Sequence, residues 1–395
     1  MRLVIGIEQR FVQVESGTIW SNGMGSYEYW KSYLQAFDQI LVVARVEHIS
    51  EPPEGWVPVT GPAVEVHAAP YYVGSVGYLR HALAVKTRVP SAVRPEDAIM
   101  LRSPGPIGNA LLPRDKSRPY GVEVIGDPWD VLSRGAIVHP LRPILRRYFH
   151  NQLQRHCKGA SAIGYVTREA LQARYPAGPN ARAFQVTDGV DEVRCMFSPP
   201  SDPEQMTLVF VGSLAQMYKA PDVLLQAIAI CRKEFDLNLS LVIVGDGKHR
   251  DELNALAHSL GIEQQVEFTG ELPSGSAVRN RLDQADLFVL PSRTEGLPRA
   301  LIEAMARGLP AIGSRVGGFS ELLAQEDLVK PGHPEDLAHI IRDVVTNPQR
   351  MEAMSCRNLT TARRYLNDDL QKQRIAFQLT LREQTRIWAA TQSSR

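Results

Sequence analysis

Cysteine is scarce in this chain. Its four cysteines, Cys157, Cys195, Cys231 and Cys356, show no CxxC spacing. That argues against a disulfide framework and a zinc site, and it suits a reducing cytoplasm. Net charge is almost absent: 44 basic against 43 acidic side chains leave +1. There is no overall pull towards nucleic acid or membrane, so any such attraction has to be local. No uninterrupted apolar run reaches the ~18 residues of a transmembrane helix. Internal repeats and low-complexity segments are missing too. Residues Met1 to Glu8 carry a short apolar run without a small-residue cleavage site, so they read as a first strand and not as a signal peptide.

What is present is an ordinary globular composition, 44% hydrophobic and 22% charged, over 395 residues. That length exceeds one compact core and predicts two domains of roughly 150–200 residues each. In the carboxyl half, apolar runs at 206–212, 239–245, 266–270 and 287–290 alternate with helical patterns at 221–233 and 249–260. Strand and helix in alternation are the pattern of a doubly wound parallel sheet. The amino half alternates less regularly, with strands expected at 2–7, 39–44, 97–102 and 121–126 and a helix over Tyr27 to Phe37. Residues 51–70 read as loops and short edge strands. Residues 198–203, Ser-Pro-Pro-Ser-Asp-Pro, make the best linker. From Gln371 to Arg395 a long terminal helix is expected, with Phe377, Leu381 and Trp388 along one side.

The most telling segment runs from Glu295-Gly296-Leu297-Pro298 through Arg299 and Glu303 to Gly308-Leu309-Pro310. Pro298 suits a first helical turn, where its missing N–H has no partner to lose, and Gly308 and Pro310 stop the helix. The preceding run 287–290 reads as a buried strand. The loop therefore lies at a strand's carboxyl end, where open parallel sheets bind ligands, and the helix start is an anion site. Glu295 suits sugar hydroxyls and Glu303 a vicinal diol such as ribose. For Glu303 the plain alternative is an ion pair with Arg299 or Arg307 at i±4.

Three further constellations share this character. Gly212-Ser213-Leu214 leads to Lys219, which could meet a diphosphate as a point charge or simply stand in solvent. Gly313 to Glu321, with Gly317-Gly318, is a glycine-rich turn whose amides could cradle phosphate or only make a tight connection. In the amino half, the loop 20–26 with Gly23 and Gly25 could close over a ligand or be a plain turn. Asp127 stands at the end of the strand at 121–126, suited to an acceptor hydroxyl and equally to capping the turn before Pro128. Residues 131–168 contain no acid but hold Arg134, Arg142, Arg146, Arg147, Arg155 and Lys158. Such a stretch fits a cationic amphipathic helix on anionic lipid, a solvated face or an inter-domain surface.

The pattern from Glu295 to Pro310 resembles the signature of retaining glycosyltransferases of family 4, which have the GT-B fold. Phe210 to Leu214 with Tyr218-Lys219, Val244 to Gly247, Phe268 to Gly270, and Gly317-Gly318 with Glu321 follow in the family's order and spacing. The resemblance is strong over 206–325. The amino half follows in outline only, at 22–26 and Tyr165 to Thr167.

The resemblance implies two facing Rossmann-like domains: 1–200 for the acceptor, 201–370 for a nucleotide-sugar donor, and a helix at 371–395 crossing back. It implies that Lys219 holds the diphosphate, Glu303 the ribose and Glu295 the transferred sugar. The segment 296–299 with Gly212, Ser213 and Gly245 would line the donor, and Phe268 to Leu272, with Gly270, the base. No cofactor or metal is expected. The implied reaction is a retaining hexosyl transfer to a cell-envelope glycan or its lipid-linked precursor, at the inner face of the membrane, with 134–158 as the peripheral contact. Alternatives are a small soluble acceptor, a GT-B epimerase and a catalytically silent binding partner. Two positions depart from the family: Ser213 stands where an arginine is usual, leaving Lys219 to meet the diphosphate alone or with Arg315 or Arg299 in compensation. Gly126-Asp127 stands where many members have a histidine.

Overall fold

The computed structural model describes residues 1–23, 25–132, 141–194, 206–273 and 275–393. The expected linker at 198–203, Cys195 and Arg134 lie outside them. Two sheets organise the chain. The second has six parallel strands in the spatial order Val266–Gly270, Ser240–Val244, Thr207–Val211, Leu287–Leu290, Ala311–Ser314 and Leu328–Val329. In chain order that is third, second, first, fourth, fifth, sixth, the doubly wound arrangement with its switch point between the first and fourth strands. Helices cover both faces, so Leu287–Leu290 and Ala311–Ser314 are buried at every position. The unbroken apolar sequence of Leu287–Leu290 has this cause.

The first sheet repeats the order with an extra strand. Its parallel part runs Val64–Ala69, Gln39–His48, Arg2–Gln13, Ala98–Ser103, Gly121–Val124, Ala162–Tyr165 and Arg182–Gln185. The first strand is longer than expected. It passes a register shift between Gly6 and Arg10 and continues beside Arg45 to His48 and, antiparallel, beside Ile19–Ser21. Successive residues of this sheet face opposite sides. Val4, Leu41, Val43 and Leu101 pack with Val85, Leu153 and Cys157 from the helices Gly74–Arg88 and Arg142–Gly159. Leu3, Ile5 and Val42 pack with Trp30, Tyr33, Phe377 and Leu381 on the other side.

The expected helix over 27–37 is shorter, an α-helix Tyr27–Lys31 continued as 3-10 turns over Ser32–Gln35. The terminal helix spans Asn367–Ser393. Phe377 and Leu381 are fully buried, each contributing about 1.5–3 kcal/mol on burial. The chain thus returns to the sheet that holds its own first strand. A second tie between the sheets is Glu321, whose carboxylate accepts N–H bonds from Arg168, Glu169 and Ala170 and the Tyr365 hydroxyl.

Candidate active site

The strand Thr207–Val211 ends at the switch point, and the chain turns away through Gly212. A Cβ on Gly212 would stand 2.4 Å from Lys219 Cδ, so the bare glycine gives the lysine stem its path. Gly245 and Gly247, both at positive φ, back this turn. A Cβ on either would meet the backbone of Gly212 or Ala215 at about 2 Å. The turn is further set by Ala220, a non-glycine residue at φ 56°, ψ 47°. A left-handed conformation costs about 1–2 kcal/mol there. The next residue, Pro221, opens the helix Pro221–Phe235.

Lys219 Nζ lies 3.2 Å from Glu295 Oε2, and 13% of each side chain is exposed. The pair is too sheltered for a surface ion pair worth about 0–1 kcal/mol, yet it remains reachable. Ser292 Oγ donates to the same Glu295 oxygen at 3.5 Å. Both bonds fall on Oε2, which leaves Oε1 without a protein partner among the described residues. Arg293 fastens the two loops together. Its guanidinium grips Asp222 at 2.9 and 2.6 Å and donates to Met217 O at 2.7 Å, while its own N–H donates to Tyr218 O. Neither Arg293 nor Asp222 had a signal in the sequence, because 71 residues separate the partners.

The glycine-rich turn shares this rim. Gly317 takes φ +48°, and a Cβ there would lie 1.9 Å from Glu295 O. Gly318 N–H donates to Gly296 O at 2.7 Å. The turn is therefore a buttress under Glu295-Gly296. Gly296 in turn approaches the other domain, where a Cβ would stand 2.9 Å from Ile125 O. A cavity of about 260 Å³ opens between the domains here. Ile125, Gly126, Asp127 and Val131 line one side, and Gln216, Tyr218, Thr294, Glu295 and Gly296 the other. This volume falls below the ~300–1,000 Å³ of pockets that enclose a whole ligand.

The helix after the loop is Arg299–Ala306, with Pro298 one position outside it. Leu297 is buried beside the core of this domain. Glu303 is half-buried, and Arg299 stands 3.7 Å from it. Burial pushes the Glu303 carboxyl above its ordinary value, while Arg299 and Arg279 pull it down. Arg299 also reaches Asp188 at 3.3 Å, and Arg374 of the terminal helix reaches the same carboxylate at 2.7 Å. Burial alone would raise Asp188, but the two guanidiniums outweigh it and hold it below its ordinary value. Arg299 is thus engaged across the domains, and Arg315 is exposed with a long bond to Leu328 O. Neither is brought to the Lys219–Glu295 pair.

Ser213 is exposed and accepts the Ala215 N–H in a tight turn. Gly270 sits at positive φ beside Asp246 and Arg250, with Leu272 partly buried nearby in sequence. Arg250 bonds Asp246 at 2.9 Å and the Phe268 carbonyl at 3.2 Å, which places a cation beside the segment 268–272 that sequence reasoning missed.

On the amino side the residues separate. Asp127 caps Pro128–Val131 by accepting the Trp129 N–H at 2.8 Å, pairs with Arg174 and accepts the Tyr175 hydroxyl. Its carboxylate is engaged within its own domain, so the geometry is that of the turn cap. Gly23 and Gly25 do not line the cavity at Glu295. Gly25 instead backs onto Gln9 and Trp30. Its neighbour Asn22 joins Gln9, Arg45, Trp56 and Tyr71 around a second cavity of about 470 Å³. Among the described residues no group of three or more His, Cys, Asp or Glu could hold a metal ion.

Comparison with known proteins gives this geometry a family. The description "Glycosyl transferases group 1" matches residues 194–359. Protein CapJ of Staphylococcus aureus is 26% identical over 353 residues, 88% of each chain. A D-inositol 3-phosphate glycosyltransferase of Rhodococcus erythropolis is 36% identical over 206 residues, 47% of this chain and 46% of that one. Beyond CapJ, the alignments span about half the length of the curated relatives. Among solved structures, Anabaena HepE in complex with UDP and glucose shares the fold at a TM-score of 0.61 and 19% identity, covering 94% of this chain and 98% of that one. Residues 194–359 match glycosyl transferases group 1, and the chain as a whole has the GT-B fold.

Proposed function

We propose that the protein transfers a hexose from a nucleotide diphosphate sugar to an acceptor hydroxyl with retention of anomeric configuration, independently of a metal ion. The observation that carries this reading is the Lys219–Glu295 pair at the switch point, facing the inter-domain cavity. HepE, whose fold this chain shares, is seen with UDP and glucose, and that supports a diphosphate donor. In this reading Lys219 leaves Glu295 for the diphosphate and offsets the charge that develops as the bond from the anomeric carbon to the β-phosphate oxygen breaks. The acceptor oxygen bonds to that carbon on the same face, and its proton passes to the departing phosphate. Glu295 holds the sugar hydroxyls through its open oxygen. Glu303 takes the ribose diol, and the start of Arg299–Ala306 faces phosphate. Asp127 shapes the acceptor side without meeting the acceptor. The acceptor is a cell-envelope or lipid-linked glycan, met on the cytoplasmic side.

A thermal-shift screen with UDP, GDP, ADP and their sugars tests the donor. A ligand at 100 times its dissociation constant stabilises by about 2.7 kcal/mol. The matching donor is expected to stabilise wild type, and NMR of the product to show the donor's anomeric configuration. Glu295→Ala is expected to lose transfer. No stabilisation by any donor, or undiminished transfer by Glu295→Ala, would overturn the reading.

A further inference from the structure

Five of the six most exposed large apolar side chains among the described residues lie on two helices. Leu83 is 76% exposed, Leu79 71%, Ile144 68%, Val76 62% and Tyr148 57%. All belong to the helices Gly74–Arg88 and Arg142–Gly159, which pack on the same face of the first sheet. Burial pushes the Tyr78 phenol up, and Tyr148 of the other helix adds to it.

Helical spacing places Val76, Leu79 and Leu83 on one stripe, opposite the buried Val85 and Val89. Ile144 and Tyr148 make a second stripe, opposite the buried Leu153 and Cys157. Each helix is thus apolar on the side that faces the core and on the side that faces away. An outward apolar stripe of this size is not a random feature of a surface.

The charge beside the stripes has one sign. Residues 66–95 contain no acid, as do residues 131–168. Arg80 and Lys86 flank the first stripe; Arg147, Arg155 and Lys158 share the face of the second, and all five are exposed. Net charge over the whole chain is +1, so this concentration is local. Outward apolar side chains rimmed by cations, without a single acid in either segment, complement an anionic bilayer: the apolar tips enter the acyl boundary and the cations meet headgroups.

We propose that the faces of Gly74–Arg88 and Arg142–Gly159 carrying Val76, Leu79, Leu83, Ile144 and Tyr148 form one docking surface for anionic lipid. The surface lies on the side of the first sheet opposite the terminal helix, which leaves the terminal helix off the membrane. The assignment deepens the lipid-linked form of the proposed reaction, and its test needs neither donor nor acceptor.

The full chain is mixed with phosphatidylcholine vesicles and with vesicles containing phosphatidylglycerol, then floated on a density gradient. Wild type is expected to float with the anionic vesicles and to be released by salt. Leu79→Glu with Leu83→Glu is expected to lower the partition coefficient about tenfold or more. Lys86→Gln and Arg147→Gln are expected to lower it about fivefold each. Thermal melting of these surface variants is expected to stay at the wild-type value, as is transfer to a soluble acceptor. Failure of wild type to float with anionic vesicles would overturn the assignment, and so would undiminished binding by the Leu79, Leu83 variant. Self-association that the same variant abolishes, without vesicle binding, would assign the face to a second copy instead. Loss of vesicle binding with transfer intact separates this surface from the reaction.

Discussion

In the carboxyl-terminal sheet the opening strand stops at Val211 and the chain leaves the switch point through Gly212. In the amino-terminal sheet the opening strand runs on past Gly6 to Gln13. The strand order around the two is the same, and a glutamate stands near each switch point. Among the described residues Glu295 bonds through one oxygen, and it lines a cavity. Glu8 is taken up by its own domain: Ile107 N–H donates to Oε1 at 2.7 Å, Tyr72 donates to Oε2 at 2.8 Å, and Arg45 stands 3.7 Å away. Gly105 packs so closely that a Cβ would sit 2.4 Å from Glu8 Cγ. One topology thus presents, among the described residues, a carboxylate bonded through one oxygen in one copy and through both oxygens in the other, each beside a cavity. The difference lies in whether the strand ends at the crevice or passes through it.

The sharpest test of this contrast is Lys219→Ala, which removes the partner of the open carboxylate. Its kcat/KM is expected to fall about 10²–10³-fold while melting changes little. A loss under about tenfold, by steady-state kinetics with the matching donor, would place Lys219 among ordinary surface cations. Arg293→Ala and Asp222→Ala come next, each expected to lower transfer about tenfold by loosening the two loops, with the double variant no worse than either single one. Additive losses would mean the two residues act separately.

Glu8→Gln should behave in the opposite sense. It is expected to keep most transfer and to cost about 1 kcal/mol of stability, read by calorimetry, because it weakens hydrogen bonds that are partly buried. A stable but inactive Glu8→Gln would erase the distinction between the two crevices. The smallest effect concerns acid. Burial pushes His156 of the amino-terminal domain down to about 4 from an ordinary 6.5. Between those values the unfolded chain binds the extra proton, so this contribution to stability is complete above about pH 6.5 and is lost as pH falls towards 4. Melting at pH 5 is expected below that at pH 7, with a smaller gap in His156→Gln.

The carboxyl-terminal domain was the more legible because its central strands are buried apolar runs and the first three strands end at or beside glycine. Glu295, Lys219 and Glu303 could be found by position along such loops. The brace between Arg293 and Asp222 could not, since only the closed sheet brings the two together. Asp127 allowed two readings in sequence, and its bonds to Trp129, Arg174 and Tyr175 select the cap. The helix Gly74–Arg88 gave no amphipathic signal because its outward stripe is as apolar as its inward one. The basic stretch at 131–168 was visible as composition, but its neighbour in space, sixty residues earlier in the chain, was not.

The last helix has a consequence for how the protein is made. Phe377 and Leu381 complete a core that contains Leu3 and Ile5, so the ribosome delivers the two halves of that core almost a whole chain apart. The domain synthesised first is the one finished last. Until Asn367–Ser393 emerges, part of one face of the amino-terminal sheet stands uncovered, while most of the carboxyl-terminal sheet can already close around its own strands. Truncating the final helix therefore removes more than a tail, because it strips one wall from the opposite end of the sequence.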